Sequence, residues 1–305
     1  MTDPDLAAVR QWVQIDAAGF PSIPSPVLTT GQGTPYLRAP GVVLIAQPRV
    51  HLSGIADFLH GFDPQLEFAQ YLQDPTELPS GAQLCKTAGQ LCYASFTPRR
   101  TWNAEANRYF QNLKASGHGS VLEHASYSFL LYGISRSVTH ELVRHRAGCA
   151  YSQISQRYVS GKVLRFVERP EYVEDPELHA WFERRIDAAA ADYAALTEAL
   201  AARQKSGVEL LNAEARTDLR KKVQQAARSL LPNETEAPMV MTANARAWRH
   251  IIEMRANPHA EVEIRALALR VYLCLAAVDP FLFGDYRLVR LSDGTLGVET
   301  EHPKV

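Results

Sequence analysis

The chain has 305 residues, 46% hydrophobic and 21% charged, a composition that suits one or two soluble globular domains with a full core. Its 32 basic and 33 acidic residues leave a net charge of -1, so bulk electrostatics argues against nucleic-acid and membrane partners. The four cysteines (Cys85, Cys92, Cys149, Cys274) form no C-x-x-C pair or disulfide framework. With no secretory signal and no apolar run that spans a bilayer, the chain reads as reduced and cytoplasmic.

In chain order, residues 1–40 are rich in Pro, Gly and Thr and read as an extended, poorly structured arm or wrapping segment. Gly41–Gln47 is a short apolar run expected to be a buried strand. Leu78–Phe96 and Asn103–Ala115 read as helices, the second ending at Ser116-Gly117 in the manner of a C-cap. Tyr127, Phe129 and Leu131 then alternate along a predicted strand. A helix is predicted over Ser135–Arg146, with Val138, Leu142 and, one position off, Val143 as its apolar stripe. If the next stretch is extended, Tyr151, Gln153, Ser155 and Arg157 share one face, a polar row with the character of a binding edge.

Val163–Val167 is a further strand candidate, ended by Pro170. Asp175-Pro176 opens an Ala-rich helix to about Lys205, and another runs from Asn212 or Glu214 to Leu231. Met239–Ala243 is strand-like, and Ala245–Ala256 and Ala260–Val278 are helices separated by Asn257-Pro258. The pattern predicts an α+β fold: a mixed or antiparallel sheet with a packed helical layer, in a single interwoven domain.

The most informative stretch is Arg144-His145-Arg146, followed by Ser155, Gln156, Arg157 and Tyr158. Three Arg and one His within fourteen residues repel one another unless an anion is supplied. Guanidinium forks match phosphate and carboxylate, and the interleaved Tyr, Ser and Gln suit a phosphorylated molecule carrying a ring. The alternative is a solvated basic turn. Cys149, inside this segment, reads as a small packed hydrophobe rather than a nucleophile. A metal reading of His140-Glu141-Leu142-Val143-Arg144-His145 fails on spacing, because histidines five apart are turned about 140° from each other on a helix. Arginines beside His145 would also repel a divalent cation, so no metal ligand is assigned.

Gly117-His118-Gly119-Ser120-Val121-Leu122-Glu123-His124 has the S-x-x-E spacing of a capping box, and its glycines also let backbone approach a ligand. Arg228 lies just before Leu230-Leu231-Pro232, where it could simply complement a helix dipole. Asn244, Arg246, His250, Arg255 and His259 cluster along one predicted helix and its flank. Arg246 and His250 share a face, whereas Arg255 lies about half a turn round. Either the helix stops before Arg255, or the two arginines serve sites formed with different subunits.

The order of these motifs, G-H-x-S-x-x-E-H, R-H-R with S-x-R-Y, A-R-x-x-L-P, and N-x-R with a downstream Arg and His, resembles the flavin-dependent thymidylate synthases from about Gly41 to Asp285. The resemblance implies a homotetramer with sites shared between subunits. It also implies FAD as cofactor, dUMP as substrate, methylenetetrahydrofolate as carbon donor, NADPH as reductant, and no nucleic-acid or membrane partner. By position, it gives Ser120, Glu123, Arg144, His145, Arg146, Gln153, Asn244, Arg246, His250 and His259 to FAD. It gives Glu141, Arg144, Gln153, Ser155, Gln156, Arg157, Arg228 and Arg255 to dUMP.

The residue matching Arg255 is the catalytic one, favouring ionisation of uracil N3 so that C5 becomes a better nucleophile. Two departures stand out. Eight residues rather than seven separate Arg146 from Ser155, which predicts a one-residue bulge before Tyr151. Some relatives carry Asn-Glu where this chain has Ser152-Gln153. The resemblance divides the chain into an N-terminal extension (1–40), a catalytic domain (41–290) and a tail (291–305).

Overall fold

A computed structural model of the chain describes residues 4–158, 163–205, 213–303 and 305. Helix α1 (Pro4–Val9) leads into strands β1 (Gln14–Ile15), β2 (Pro21–Ile23), β3 (Leu28–Thr29), β4 (Pro35–Leu37) and β5 (Gly41–Ala46). Helices α2 (Ala56–His60), α3 (Ser80–Cys92) and α4 (Ala106–Ala115) follow, then β6 (Ser126–Tyr132), α5 (Arg136–Leu142), β7 (Cys149–Gln153) and β8 (Phe166–Val167). The helical stretch α6 (Pro170–Val173), α7 (Pro176–Lys205) and α8 (Ala213–Ala227) precedes β9 (Met239–Asn244) and α9 (Ala245–Arg255). The chain closes with α10 (Val262–Val278), α11 (Pro280–Phe283) and a hairpin of β10 (Arg287–Arg290) and β11 (Leu296–Glu299).

The main sheet runs β1-β2-β5-β6-β9-β7, every neighbouring pair antiparallel. A small sheet, β3-β4-β8, holds a parallel pair. The mixed helix-and-sheet character predicted from the sequence is what the chain adopts. Strand β6 lies between β5 and β9 and alternates as expected, with Tyr127, Phe129 and Leu131 buried. Trp248 of α9 packs edge-on against Phe129, 5.3 Å between ring centres, and donates its indole N–H to the Tyr127 carbonyl. Helix α9 is therefore anchored to the sheet along its buried face, which leaves its two ends to build sites.

Helix α4 ends as predicted. Gly117 takes a left-handed φ of +67°, His118 N–H donates to the Leu113 carbonyl and Gly117 N–H to that of Lys114. This is the Schellman closure, which needs a residue without a Cβ penalty at that φ.

Four expectations are corrected. Of the two readings of residues 1–40, the poorly structured arm fails and the wrapping segment holds: β2 pairs with β5 through Ser22↔Val43 and Ile23↔Val42, and Val9 and Ile23 join the main core. The otherwise open edge of β5 needs hydrogen-bond partners, and a short strand tolerates Pro21 at its start. The predicted helix over Ser135–Arg146 stops at Leu142, leaving Val143 exposed rather than on the apolar stripe. The row from Tyr151 to Arg157 breaks after Gln153, because residues 155–158 turn, with the Tyr158 N–H donating to the Ser155 carbonyl. Strand β8 covers only Phe166 and Val167 of the stretch from Val163. Asn212, one of the two starts weighed for the following helix, lies outside the described residues; α8 begins at Ala213.

Candidate active site

The C-terminal end of α9 meets the C-terminal end of α5. Ser135 caps α5, its Oγ accepting the Val138 N–H at 3.3 Å. Ser135 is itself held by the buried Glu263 carboxylate, which accepts its N–H at 2.7 Å and its hydroxyl at 2.8 Å. Burial pushes the Glu263 carboxyl up to about 7. After Leu142 the chain tightens into a turn, with Arg144 N–H on the Glu141 carbonyl and His145 N–H on that of Leu142. The Tyr151 hydroxyl lies 2.8 Å from the Leu142 carbonyl and 2.7 Å from that of His145, pinning this turn from β7. Tyr151 is thus a strut, not part of a binding edge.

That turn presents Arg144 and Arg146 to solvent and tucks His145 inward. Arg255 reaches across from α9. It donates Nε–H to His145 Nε2 at 3.1 Å and forms an ion pair from Nη1 to Glu141 Oε2 at 2.6 Å. Its Nη2 also faces the Glu141 carbonyl, and the His250 ring lies 5.6 Å from that of His145. Burial, then the Arg255 charge and His250, lower the His145 imidazole to about 4. Neutral His145 accepting at Nε2 must carry its proton on Nδ1.

The N-terminal end of α9 forms a second cluster. Asn244 caps the helix, its Oδ1 accepting the Ala247 N–H at 2.8 Å. Gly148 takes φ +71°, and a Cβ there would lie 2.5 Å from the Asn244 amide nitrogen, so glycine lets the turn after Arg146 close on the cap. Arg246 Nη1 pairs with Glu123 Oε1 at 2.6 Å, with Ser120 nearby on the same cleft. The capping box does not form: Gly119–His124 is a 3-10 turn whose N-cap, His118, makes no side-chain bond, and Glu123 spends its carboxylate on Arg246. His259 lies in the turn beyond α9, its N–H on Asn257 Oδ1.

Helix α9 does run through Arg255. The two arginines nine positions apart are therefore separated by about 13 Å along its axis and make separate clusters. The predicted bulge is also absent, since β7 keeps an unbroken register from Cys149↔Ala243 to Gln153↔Met239. The additional residue is taken up in the turn before Cys149, where the Cys149 N–H donates to the Arg146 carbonyl.

The remaining nucleotide candidates follow β7. Gln153 is half-buried at the strand's end. Ser155 Oγ faces the Arg157 N–H at 3.4 Å, and Arg157 lies 5.2 Å from the centre of the Tyr158 ring. Gln156 Nε2 is buried with no partner, a donor that a bound acceptor would satisfy. Arg228 is exposed in a 3-10 turn after α8. Among the described residues, no hydrogen bond or ion pair joins Ser155, Gln156 or Arg157 to Arg228 or Arg255.

Reading the sequence missed Arg136. Its guanidinium is half-buried at the start of α5, and burial followed by the nearby Arg228 charge depresses its pKa. Neither arginine has a carboxylate partner among the described residues, nor do Arg144, Arg146 and Arg157. Arg136 and Arg228, close enough for their charges to interact and without a carboxylate partner among the described residues, form a pair that fits a phosphate. Ser-Arg-Ser in a short helix carries no local signal that would have marked Arg136.

The family model described as "Thymidylate synthase complementing protein" matches residues 75–281. The chain is 43% identical over 251 residues to a flavin-dependent thymidylate synthase of Mycolicibacterium gilvum, covering 82% of this chain and 94% of that one. It is 42% identical over 247 residues to that of Mycobacteroides abscessus, with 81% and 93% covered. With that of Mycobacterium tuberculosis (strain H37Ra) it shares 46% identity over 220 residues, 72% and 85% of the two chains. The chain belongs to the flavin-dependent thymidylate synthase family, and is an enzyme of the methyltransferase class.

Proposed function

We propose that the chain converts dUMP to dTMP with FAD as cofactor, methylenetetrahydrofolate as carbon donor and NADPH as reductant. The observation that carries this reading is Arg255, held by Glu141 and His145 beside the turn that exposes Arg144 and Arg146. In this reading Arg228, Arg136 and Arg157 hold the dUMP phosphate by forked contacts. Ser155, Gln153 and the free Gln156 amide orient the nucleotide. Glu141 and Arg144 close over it.

Arg255 stabilises negative charge developing on the uracil, which makes C5 the stronger nucleophile. When bound, the flavin supplies the electron transfer from NADPH that the methyl group's formation requires. Arg144, His145, Arg146, Gln153, Ser120, Glu123, Asn244, Arg246, His250 and His259 hold it. Neutral His145 offers its Nδ1 proton as a donor and adds no cationic charge.

In this reading each site takes residues from more than one subunit of a homotetramer, an arrangement supported by the placement of Arg246 and Arg255 at opposite ends of α9. The catalytic unit spans 41–290, flanked by the N-terminal extension and the tail. Among the described residues, no helix is long and apolar enough to cross a membrane. The cytoplasm is the compartment that supplies these co-substrates.

The test is spectroscopic and kinetic. Purified protein is expected to be yellow, with flavin absorbance, and to oxidise NADPH faster when dUMP is added. A colourless protein that takes up no FAD would overturn the proposal.

A further inference from the structure

A second anion-binding region adjoins the proposed flavin residues. A cleft of about 640 Å³ lies between α3, α4 and the 3-10 turn after α4, and Ser120 and Arg246 line one end of it. Arg99, Arg100, Arg108 and His118 line it as well, and no Asp or Glu does. So one-sided a lining concentrates positive potential and selects an anion.

The arginines differ in how well they are satisfied. Arg99 is exposed, with no side-chain partner among the described residues. Among the described residues the exposed Arg108 pairs only with the half-buried Glu105, three positions away, an arrangement of little energetic weight. Arg100 is 5% exposed, donates to the Gln70 and Thr97 carbonyls and lies 3.6 Å over the Trp102 ring. Its Nε is buried with no partner, and no carboxylate pairs with it among the described residues.

Aromatic surface accompanies the charge. Tyr93 is 75% exposed at the rim. Tyr109 lies against α3 because Gly89 leaves room, a Cβ there falling 2.1 Å from the Tyr109 hydroxyl.

We propose that this cleft binds the anionic portion of a co-substrate that reacts at the flavin, with Arg99 and Arg108 pairing its charges and Tyr93 and Tyr109 its ring or linker. The inference rests on the functional reading above, since Ser120 and Arg246 place the occupant beside the flavin. Two co-substrates of that reading carry such groups: phosphates on a nicotinamide dinucleotide and carboxylates on a folate tail.

The experiment uses the holoenzyme and the variant Arg99→Gln with Arg108→Gln, two exposed sites whose replacement preserves folding. Single Arg99→Gln serves as a check. KM is measured for NADPH and NADH, and for mono- and polyglutamyl methylenetetrahydrofolate, along with kcat and FAD content. KM for one co-substrate is expected to rise about tenfold or more, with kcat and FAD content retained.

Lost preference for NADPH over NADH identifies a phosphate occupant. Lost preference for the polyglutamyl form identifies a carboxylate one. Unchanged KM for both, or lost FAD with unchanged KM, overturns the inference. If wild-type protein makes no dTMP, the functional reading fails by itself. Calorimetric titration of the two co-substrates into wild-type and variant then still reads the cleft, and equal affinities overturn its assignment.

Discussion

Arg255 and His145 meet at 3.1 Å, the guanidinium Nε–H donating to the imidazole Nε2. A protonated imidazole has no lone pair to accept that bond, so the contact holds only while His145 is neutral. Burial and the Arg255 charge together keep the ring unprotonated down to about 4, against its ordinary 6.5. The residue in the middle of the Arg-His-Arg motif is therefore not a third cation.

This contact sets an acid limit on stability. Between 6.5 and about 4 the unfolded chain binds a proton at residue 145 that the folded chain refuses. Folding is accordingly destabilised as pH falls through that window, and residue 145 contributes no pH slope above it. In thermal unfolding from pH 7 down to 4, His145→Gln should lose less Tm than wild type. Parallel profiles for the two proteins would refute the assignment.

Arg255→Lys keeps a charge but lacks the fork that spans Glu141 and His145. Turnover to dTMP should fall about 10²–10³-fold, the scale of losing one aimed electrostatic donor, with flavin absorbance largely retained. Unchanged dTMP production would remove Arg255 from the chemistry.

Arg136→Gln removes one of two adjacent guanidinium groups without emptying the start of α5. KM for dUMP should rise about 10–100-fold, the cost of one charge-assisted contact or two, while FAD content stays constant. A variant whose KM matches wild type would place the phosphate elsewhere.

Tyr151→Phe deletes only a hydroxyl, yet leaves the Leu142 and His145 carbonyls without their shared donor. Unfolding free energy should drop by about 1–3 kcal/mol. Loosening of the turn should also weaken FAD binding, read by the fraction of flavin retained on gel filtration. Full retention together with wild-type denaturant stability would contradict the strut role.

The separation of Arg246 and Arg255 along α9 predicts complementation. Inactive Arg246→Ala and Arg255→Ala proteins, mixed under conditions of subunit exchange, should regain part of the wild-type rate. No recovery after demonstrated exchange would mean that each chain builds its site alone.

The elements best read from sequence are those whose side chains repeat with a local period. Tyr127, Phe129 and Leu131 alternate because one face of β6 is buried, and the Gly117 stop is written in a single residue's tolerance of positive φ. The segment around Ile23 carried no such pattern. Its strands pair through backbone groups with β5, and backbone pairing leaves little trace in side-chain identity.

The residue types were also legible: clustered Arg, His, Gln and Ser point to a phosphorylated, ring-containing ligand, and their order gives the resemblance to the family. Sequence alone determined the elements with a clear side-chain period, such as β6 and the end of α4, and the kinds of functional group the chain carries, because both are properties of a few neighbouring residues. Only the tertiary structure decided that α5 stops at Leu142 under a Tyr151 hydroxyl, that Arg255 is held by Glu141 and His145, and that Arg136 stands beside Arg228. Those relationships join residues up to 114 positions apart, and only the packing of α5, β7 and α9 on one sheet brings them within reach.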